Sequence, residues 1–308
     1  MKRSPSPPGK NPGYALGVLG PILFLLYVND IPSISNLFSS CLFADDTSLI
    51  FSDSDIKNLF ISCNLGLDCF SVWCCANRLS VNISKTNYMI FSNGHLPGIL
   101  PYLLFNNTPI DRCSSLRFLG VELDEKLKFS KHISLISGKF SKTAGILRKL
   151  AEFMPPYILT SLYHALVEPH LNYCCLLFGG AYDTHLNSLV VAQRKCIRVI
   201  DGESYYAHSN PIFARLNILK FKDLYKLNLG IYLHKNWTKF QQYLNTSNYN
   251  TRGDSIFNPP FHRLNLTQRQ SVEHQAPKLW NSIPASIRNS SSLNSFKWKY
   301  KKHLISQY

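Results

Sequence analysis

Asp45 and Asp46 stand side by side inside an apolar run, Cys41-Leu42-Phe43-Ala44-Asp45-Asp46-Thr47-Ser48-Leu49-Ile50-Phe51. Adjacent carboxylates repel each other and resist leaving water, so an apolar setting works against them. A tight hairpin presenting both to a divalent cation resolves the conflict: short strands flank the pair, and Asp-Asp is tolerated in turns. Magnesium takes hard oxygen ligands, commonly one or two carboxylates together with substrate phosphates. A solvated surface turn is the bland reading of the same dipeptide.

The hairpin has distinctive neighbours. Upstream lies Gly17-Val18-Leu19-Gly20-Pro21-Ile22-Leu23-Phe24-Leu25-Leu26-Tyr27-Val28-Asn29-Asp30-Ile31-Pro32. Downstream come Trp73, Asn77-Arg78-Leu79-Ser80-Val81-Asn82, Ser84-Lys85-Thr86 before Met89-Ile90-Phe91, then Phe118-Leu119-Gly120-Val121-Glu122-Leu123-Asp124 and His132-Ile133. In this order and spacing the chain resembles the reverse transcriptases of LINE-type, non-LTR retrotransposons, from about Gly17 to Ile133. A weaker resemblance continues through Leu162-Tyr163, Pro169-His170-Leu171-Asn172-Tyr173, Gln193-Arg194-Lys195, Leu279-Trp280-Asn281-Ser282-Ile283-Pro284 and Phe296-Lys297. The order of several blocks, rather than any one of them, carries the likeness.

That resemblance implies RNA-directed DNA polymerisation with two magnesium ions, one activating the attacking hydroxyl and one stabilising the leaving pyrophosphate. Its partners are then an RNA template, a DNA primer and deoxynucleoside triphosphates. Asp45 matches the metal-binding carboxylate of the family's Ala-Asp-Asp hairpin, and Asp46 its second acid. Phe43 takes the place of an aromatic ring near the primer terminus. Lys85 matches a loop lysine able to neutralise or protonate pyrophosphate, although a plain loop lysine fits the residue equally. Phe118, Leu119 and Gly120 match a hairpin that grips the primer, with Gly permitting close backbone approach.

The chain also departs from the family. The first metal-binding aspartate lies upstream of the Gly-Pro block there, yet residues 1–16 hold no acid and Asp30 ends a helix. Tyr14-Ala15-Leu16-Gly17 stands where Pro-Gln-Gly-Ser is usual. The expectation is a truncated reverse transcriptase, inactive alone and short of an amino-terminal half. A basic RNA- or DNA-binding remnant, or a relic without cellular role, are the alternatives.

Composition fits a nucleic-acid partner. Of 308 residues, 45% are apolar, and 33 basic side chains oppose 18 acidic ones for a net charge of +15. Such an excess attracts phosphate backbones, and anionic membranes too. It is uneven, about +5 over residues 1–150 and +10 beyond, so carboxylates gather where the metal chemistry belongs. Nine cysteines without a C-x-x-C suit a reducing compartment better than a zinc site or disulfide framework. The run from Val18 to Val28 is too short to span a bilayer and is followed by no cleavage site, so an intracellular protein, nuclear or cytoplasmic, is expected.

The elements needed to position these residues follow from periodicity. A buried helix is expected over Pro21–Asp30, opening on Pro. A hairpin over Asp45-Asp46 comes next, then an Asp55-capped helix through Ile56, Leu59, Phe60, Cys63, Leu67, Phe70 and Trp73. A strand over Asn87–Phe91 completes an α+β pattern with an antiparallel sheet. Further helices carry Ile136, Phe140 and Ile146-Leu147, then Ile158, Leu162 and Leu166, then Leu189, Cys196, Ile197 and Ile200. On the last, Arg194, Lys195 and Arg198 cluster on another face as candidate phosphate contacts. The resulting division is a disordered leader at 1–16, a palm fragment with the primer-grip hairpin at 17–130, and a helical thumb at 131–235. A polar connector at 236–260 and a helical extension at 261–308 complete it, with Phe296, Tyr300 and Leu304 forming a stripe beside Lys297, Lys301 and Lys302.

Overall fold

The computed structural model describes residues 19–92, 94–244, 256–263 and 265–308, so the expected leader lies outside the described residues. It is a mixed helix and strand structure with small sheets, compatible with α+β. The chain divides into two compact units between Ser114 and Ser115, ahead of the Phe118–Leu123 hairpin in sequence.

The first unit contains α1 (Leu19–Val28), the hairpin β1 (Ser39–Phe43) and β2 (Asp46–Ile50), and α2 (Ile56–Ala76), followed by β3 (Asn87–Tyr88), β4 (Leu104–Phe105), β5 (Thr108–Pro109) and β6 (Asp111–Arg112). Asp55 caps α2, its carboxylate accepting from the backbone N–H groups of Lys57 at 2.8 Å and Asn58 at 3.0 Å, as the sequence predicts. One stripe of α2 enters the core through Phe60, Cys63, Phe70 and Cys74, joined by Val28, Ile31, Ile90, Leu103, Phe105 and Ile110. Asn64 ties that helix to β4, donating to the Tyr102 carbonyl at 3.1 Å and accepting from the Leu104 N–H at 2.9 Å. By length and composition α2 is apolar enough to cross a membrane, but its inward stripe is committed to this core.

Three expectations change here. Only Val28 of α1 is buried, while Leu19, Leu25 and Leu26 are more than half exposed. The run is apolar on every face, so its sequence gives no direction for packing, and only its end touches the core. The expected strand over Asn87–Phe91 shortens to Asn87–Tyr88, which pairs with β6 in parallel. Finally, no continuous antiparallel sheet forms among the described residues; the strands make four separate pairs, three of them antiparallel.

The second unit opens with β7 (Ser115–Phe118) and β8 (Val121–Asp124). The carboxylate of Asp124 then organises the turn into α3 (Ser130–Leu150), accepting from the N–H groups of Lys126, Lys128 and Phe129 at 2.8 to 3.1 Å. After α4 (Pro156–Leu166), α5 (Glu168–Asn172) and α6 (Cys175–Phe178) comes α7 (Asp183–Ile200), which packs along α3. Leu189, Cys196, Ile197 and Ile200 point inward as their spacing predicts. In α3, Ile136, Phe140 and Leu147 are buried as expected while Ile146 is exposed; in α4, Leu166 is exposed, and Leu159 and Tyr163 fill the buried stripe.

Next, α8 (Ser209–Arg215) and α9 (Phe221–Lys235) lead to α10 (Trp237–Phe240), so the expected connector begins as a helical turn with Phe240 buried. The middle of that connector, 245–255, lies outside the described residues, while Phe257 beyond it is buried and pairs with Leu244. The remaining helices are α11 (Asn265–Gln270), α12 (Val272–Ser282), α13 (Ala285–Arg288) and α14 (Leu293–Ile305). The Phe296, Tyr300 and Leu304 stripe of α14 is buried, with Phe296 stacked on Trp280 at 5.3 Å between centroids.

Candidate functional site: an acidic hairpin and a basic helix face

The acidic pair sits on a hairpin. Ser39 to Phe43 pairs antiparallel with Asp46 to Ile50, ending on Phe43 opposite Asp46, so Ala44 and Asp45 form a two-residue turn. Ala44 adopts φ +51, the left-handed backbone such tight turns call for. Cross-strand pairing places Ser40, Leu42, Thr47 and Leu49 on one face and Cys41, Phe43, Asp46 and Ser48 on the other. The Phe43 ring is 61% exposed beside Asp46, on the hairpin's open face.

Both carboxylates are exposed and take no hydrogen bond or ion pair among the described residues. Free carboxylate oxygens at a turn suit magnesium, which keeps waters and substrate phosphates in its remaining positions. No group of three or more His, Cys, Asp or Glu that could hold a metal occurs among the described residues. Lys85 belongs to the same unit, exposed at the end of the helical turn Ile83–Lys85.

Asp30 is the nearest acid upstream in sequence, and it is already engaged. Its carboxylate accepts the indole N–H of Trp73 at 3.1 Å, and Tyr27 donates its hydroxyl to the Asn77 carbonyl nearby in sequence. These contacts fasten the end of α1 to the end of α2. They give Asp30, Trp73 and Asn77 structural work within the motif blocks.

The second unit holds the remaining candidates. Phe118 pairs with Val121, leaving Leu119 and Gly120 as a two-residue turn with φ of +43 and +86. Tyr173 donates its hydroxyl to the Leu119 carbonyl, and its ring lies 3.6 Å from where a Gly120 Cβ would stand. The Asn172-Tyr173 block thus braces the hairpin that the sequence singles out, a role no local pattern reveals. His132 is buried beside it with its Nδ1 accepting the Glu122 N–H at 3.4 Å. Burial lowers its pKa, so the neutral ring is favoured.

On α7 the three candidate cations separate. Arg194 and Arg198 line an open cavity of about 420 Å³ with Tyr206, His208 and Tyr308, whereas Lys195 does not reach it. Arg198 spends its Nε–H on the Ala207 carbonyl at 2.8 Å. Gln193, their neighbour in the motif, is buried and fully satisfied: its amide donates to the Tyr163 hydroxyl and the Leu219 carbonyl and accepts from the Phe221 N–H, all within 2.9 Å. Asn281 plays a comparable part, accepting from the N–H groups of Ile256 and Phe257. These amides hold segments together and explain why polar residues sit in buried blocks.

Curated proteins similar to this chain include the RNA-directed DNA polymerase from mobile element jockey of Drosophila melanogaster, 27% identical over 221 residues, covering 67% of this chain and 23% of that protein. The corresponding jockey protein of Drosophila funebris is 27% identical over 218 residues, again 67% of this chain and 23% of the relative. A probable RNA-directed DNA polymerase from transposon X-element of Drosophila melanogaster is 27% identical over 210 residues, 65% of this chain and 23% of the relative. The chain thus matches under a quarter of the length of these relatives. No family model matches it, and no solved structure does.

Proposed function

We infer that this chain is a fragment of a reverse transcriptase domain from a mobile element, carrying the acidic hairpin of an RNA-directed DNA polymerase. One observation supports this beyond the relatives' names. The sequence block that resembles the polymerase hairpin folds as a hairpin, with Asp45 in its turn, Asp46 beside it and both carboxylates open.

In this reading Asp45 and Asp46 hold magnesium. Magnesium held there would supply activation of the primer hydroxyl and neutralisation of charge on the leaving pyrophosphate. Phe43 offers an exposed ring beside the carboxylates for the primer end, and Lys85 offers an ammonium to the departing phosphates. Phe118, Leu119 and Gly120 present a tight, braced turn to the primer, while Arg194, Lys195 and Arg198 neutralise template or primer backbone. No third acid joins the pair among the described residues, and in this reading a two-ion site takes a further ligand from elsewhere. The isolated chain is accordingly proposed to bind nucleic acid without copying it efficiently.

A domain exchange tests this. The jockey polymerase, with its matched region replaced by this chain, should extend a DNA primer on RNA with magnesium, and Asp45→Asn should abolish that extension. The isolated chain should extend the same primer barely or not at all. Extension by the exchanged enzyme that survives Asp45→Asn would remove the hairpin from the reaction.

The second reading, a basic binder without catalysis, is favoured by the absence of a third acid at the hairpin among the described residues. It requires only the basic face of α7. Affinity for primed RNA should then fall with salt at about 0.7 to 0.9 log units per phosphate contact. Replacing Arg194, Lys195 and Arg198 together should reduce that slope by about two to three units.

A further inference from the structure

We propose that the loop joining α7 to α8 is a docking site for single-stranded nucleic acid, with a base stacked on Tyr206 and the adjoining phosphate held in the cavity by Arg194 and Arg198. The proposal rests on the nucleic-acid reading above and extends it from a charged face to a defined site.

Three observations meet at this loop. First, Tyr205 and Tyr206 project from it, 57% and 89% exposed, with their rings edge to face at 5.3 Å. Second, the loop is held rather than free: the Arg198 bond to Ala207 pins it to α7, and the same guanidinium lies 5.9 Å from the Tyr205 ring centre. A pinned aromatic pair loses little entropy when a base arrives, which favours stacking over generic attraction.

Third, the cavity behind Tyr206 is basic, and the acids around it already have cationic partners, Asp223 also facing the Tyr308 hydroxyl. Asp201 accepts from Arg215 Nε at 3.1 Å, and Glu203 lies 3.5 Å from the same guanidinium. Asp223 is paired with Lys226 at 2.9 Å. Lys220 adds further positive charge from beside the cavity, its ammonium 3.6 Å above the Tyr308 ring. Arg194 makes no ion pair or hydrogen bond among the described residues. A phosphate entering here meets arginines that no carboxylate already neutralises.

The stack requires an unpaired base, because bases within a duplex are covered on both faces by their neighbours. Neither stacking nor phosphate contact reads the 2′-hydroxyl, so RNA and DNA of one sequence should bind alike.

Fluorescence anisotropy with the full chain and labelled ten-nucleotide single strands tests the site. Tyr206→Ala, a change at an exposed side chain, should weaken binding by about tenfold or more, and Tyr206→Phe should bind like the parent. An abasic strand should bind the parent about as weakly as the natural strand binds Tyr206→Ala. Arg194→Gln should lower the salt slope by about 0.7. Full affinity in Tyr206→Ala, equal binding of abasic and natural strands, or a tenfold preference for RNA over DNA would each overturn the site. If the triple replacement of Arg194, Lys195 and Arg198 lowers the salt slope while Tyr206→Ala changes nothing, the basic face stands and this site falls. A parent chain without salt-sensitive binding removes both.

Discussion

Tyr173 donates its hydroxyl to the carbonyl of Leu119, across 54 residues of sequence, at the turn where Leu119 and Gly120 both hold positive φ. A leucine in left-handed backbone is strained, and an anchored carbonyl helps hold it there. The bond joins two motif blocks into one unit, which makes the hairpin's geometry a property of the helical segment behind it.

That relationship orders the cost of two substitutions. Gly120→Ala should cost about 1–2 kcal/mol, because an L side chain resists the left-handed region. Tyr173→Phe removes one partly exposed hydrogen bond and should cost less, about 0.5–1 kcal/mol. Urea unfolding of the two variants measures the order, and a costlier Tyr173→Phe would show that the hydroxyl, not the glycine, sets the turn.

Glycines separate close packing from open helix surface. A Cβ on Gly66 would lie 2.6 Å from the Phe51 ring and 3.1 Å from Phe38, where α2 approaches the end of the acidic hairpin. Ala gains about 1 kcal/mol over Gly in a helix, but overpacking costs about 1–3 kcal/mol, so Gly66→Ala should be neutral to destabilising. Gly138 and Gly145 in α3 meet nothing within 4 Å, and Ala there should stabilise by up to about 1 kcal/mol. Thermal unfolding of the three variants decides; stabilisation by Gly66→Ala would show that Phe51 yields freely.

Metal affinity should follow the hairpin and not the upstream aspartate. Manganese, standing in for magnesium as a paramagnetic probe, should broaden nuclear resonances of residues near Asp45. The broadening should vanish in Asp45→Asn with Asp46→Asn and persist in Asp30→Asn, because the Asp30 carboxylate is held on Trp73. Loss of the effect in Asp30→Asn alone would place that residue in the site.

Acid should loosen the second unit through His132. Burial lowers its folded pKa, with Lys139 adding to that and Glu122 opposing it. A base with a lowered folded pKa binds its proton more readily when unfolded, so stability is unaffected well above the unfolded value near 6.5. It should decline as pH falls through about 6.5 and level off below the folded value. His170, lowered chiefly by burial, adds in the same direction. His132→Asn keeps an acceptor and removes the titration, so chemical denaturation from pH 7.5 to 5 should show a shallower loss; an unchanged slope would clear His132.

Much of the local structure is readable from residue order. Asp55 followed by inward residues at three- and four-residue spacing specifies α2 and its cap, since helix period and orphan N–H groups are local facts. The flanks of Asp45-Asp46 likewise specify a hairpin with the acids at its turn. The inward stripe of α7 follows from the same periodicity.

What folding decided concerns partners distant in sequence. Periodicity orients a side chain about its own element, but which surface it meets depends on how elements pack. Hence Asp30 finds Trp73, Gln193 finds Tyr163 and Phe221, and Arg198 finds Ala207, leaving Arg194 facing a cavity that Lys195 does not share. The uniformly apolar α1 shows the same rule from the other side. With no polar face to orient it, its sequence predicts burial, and the tertiary structure covers only its end.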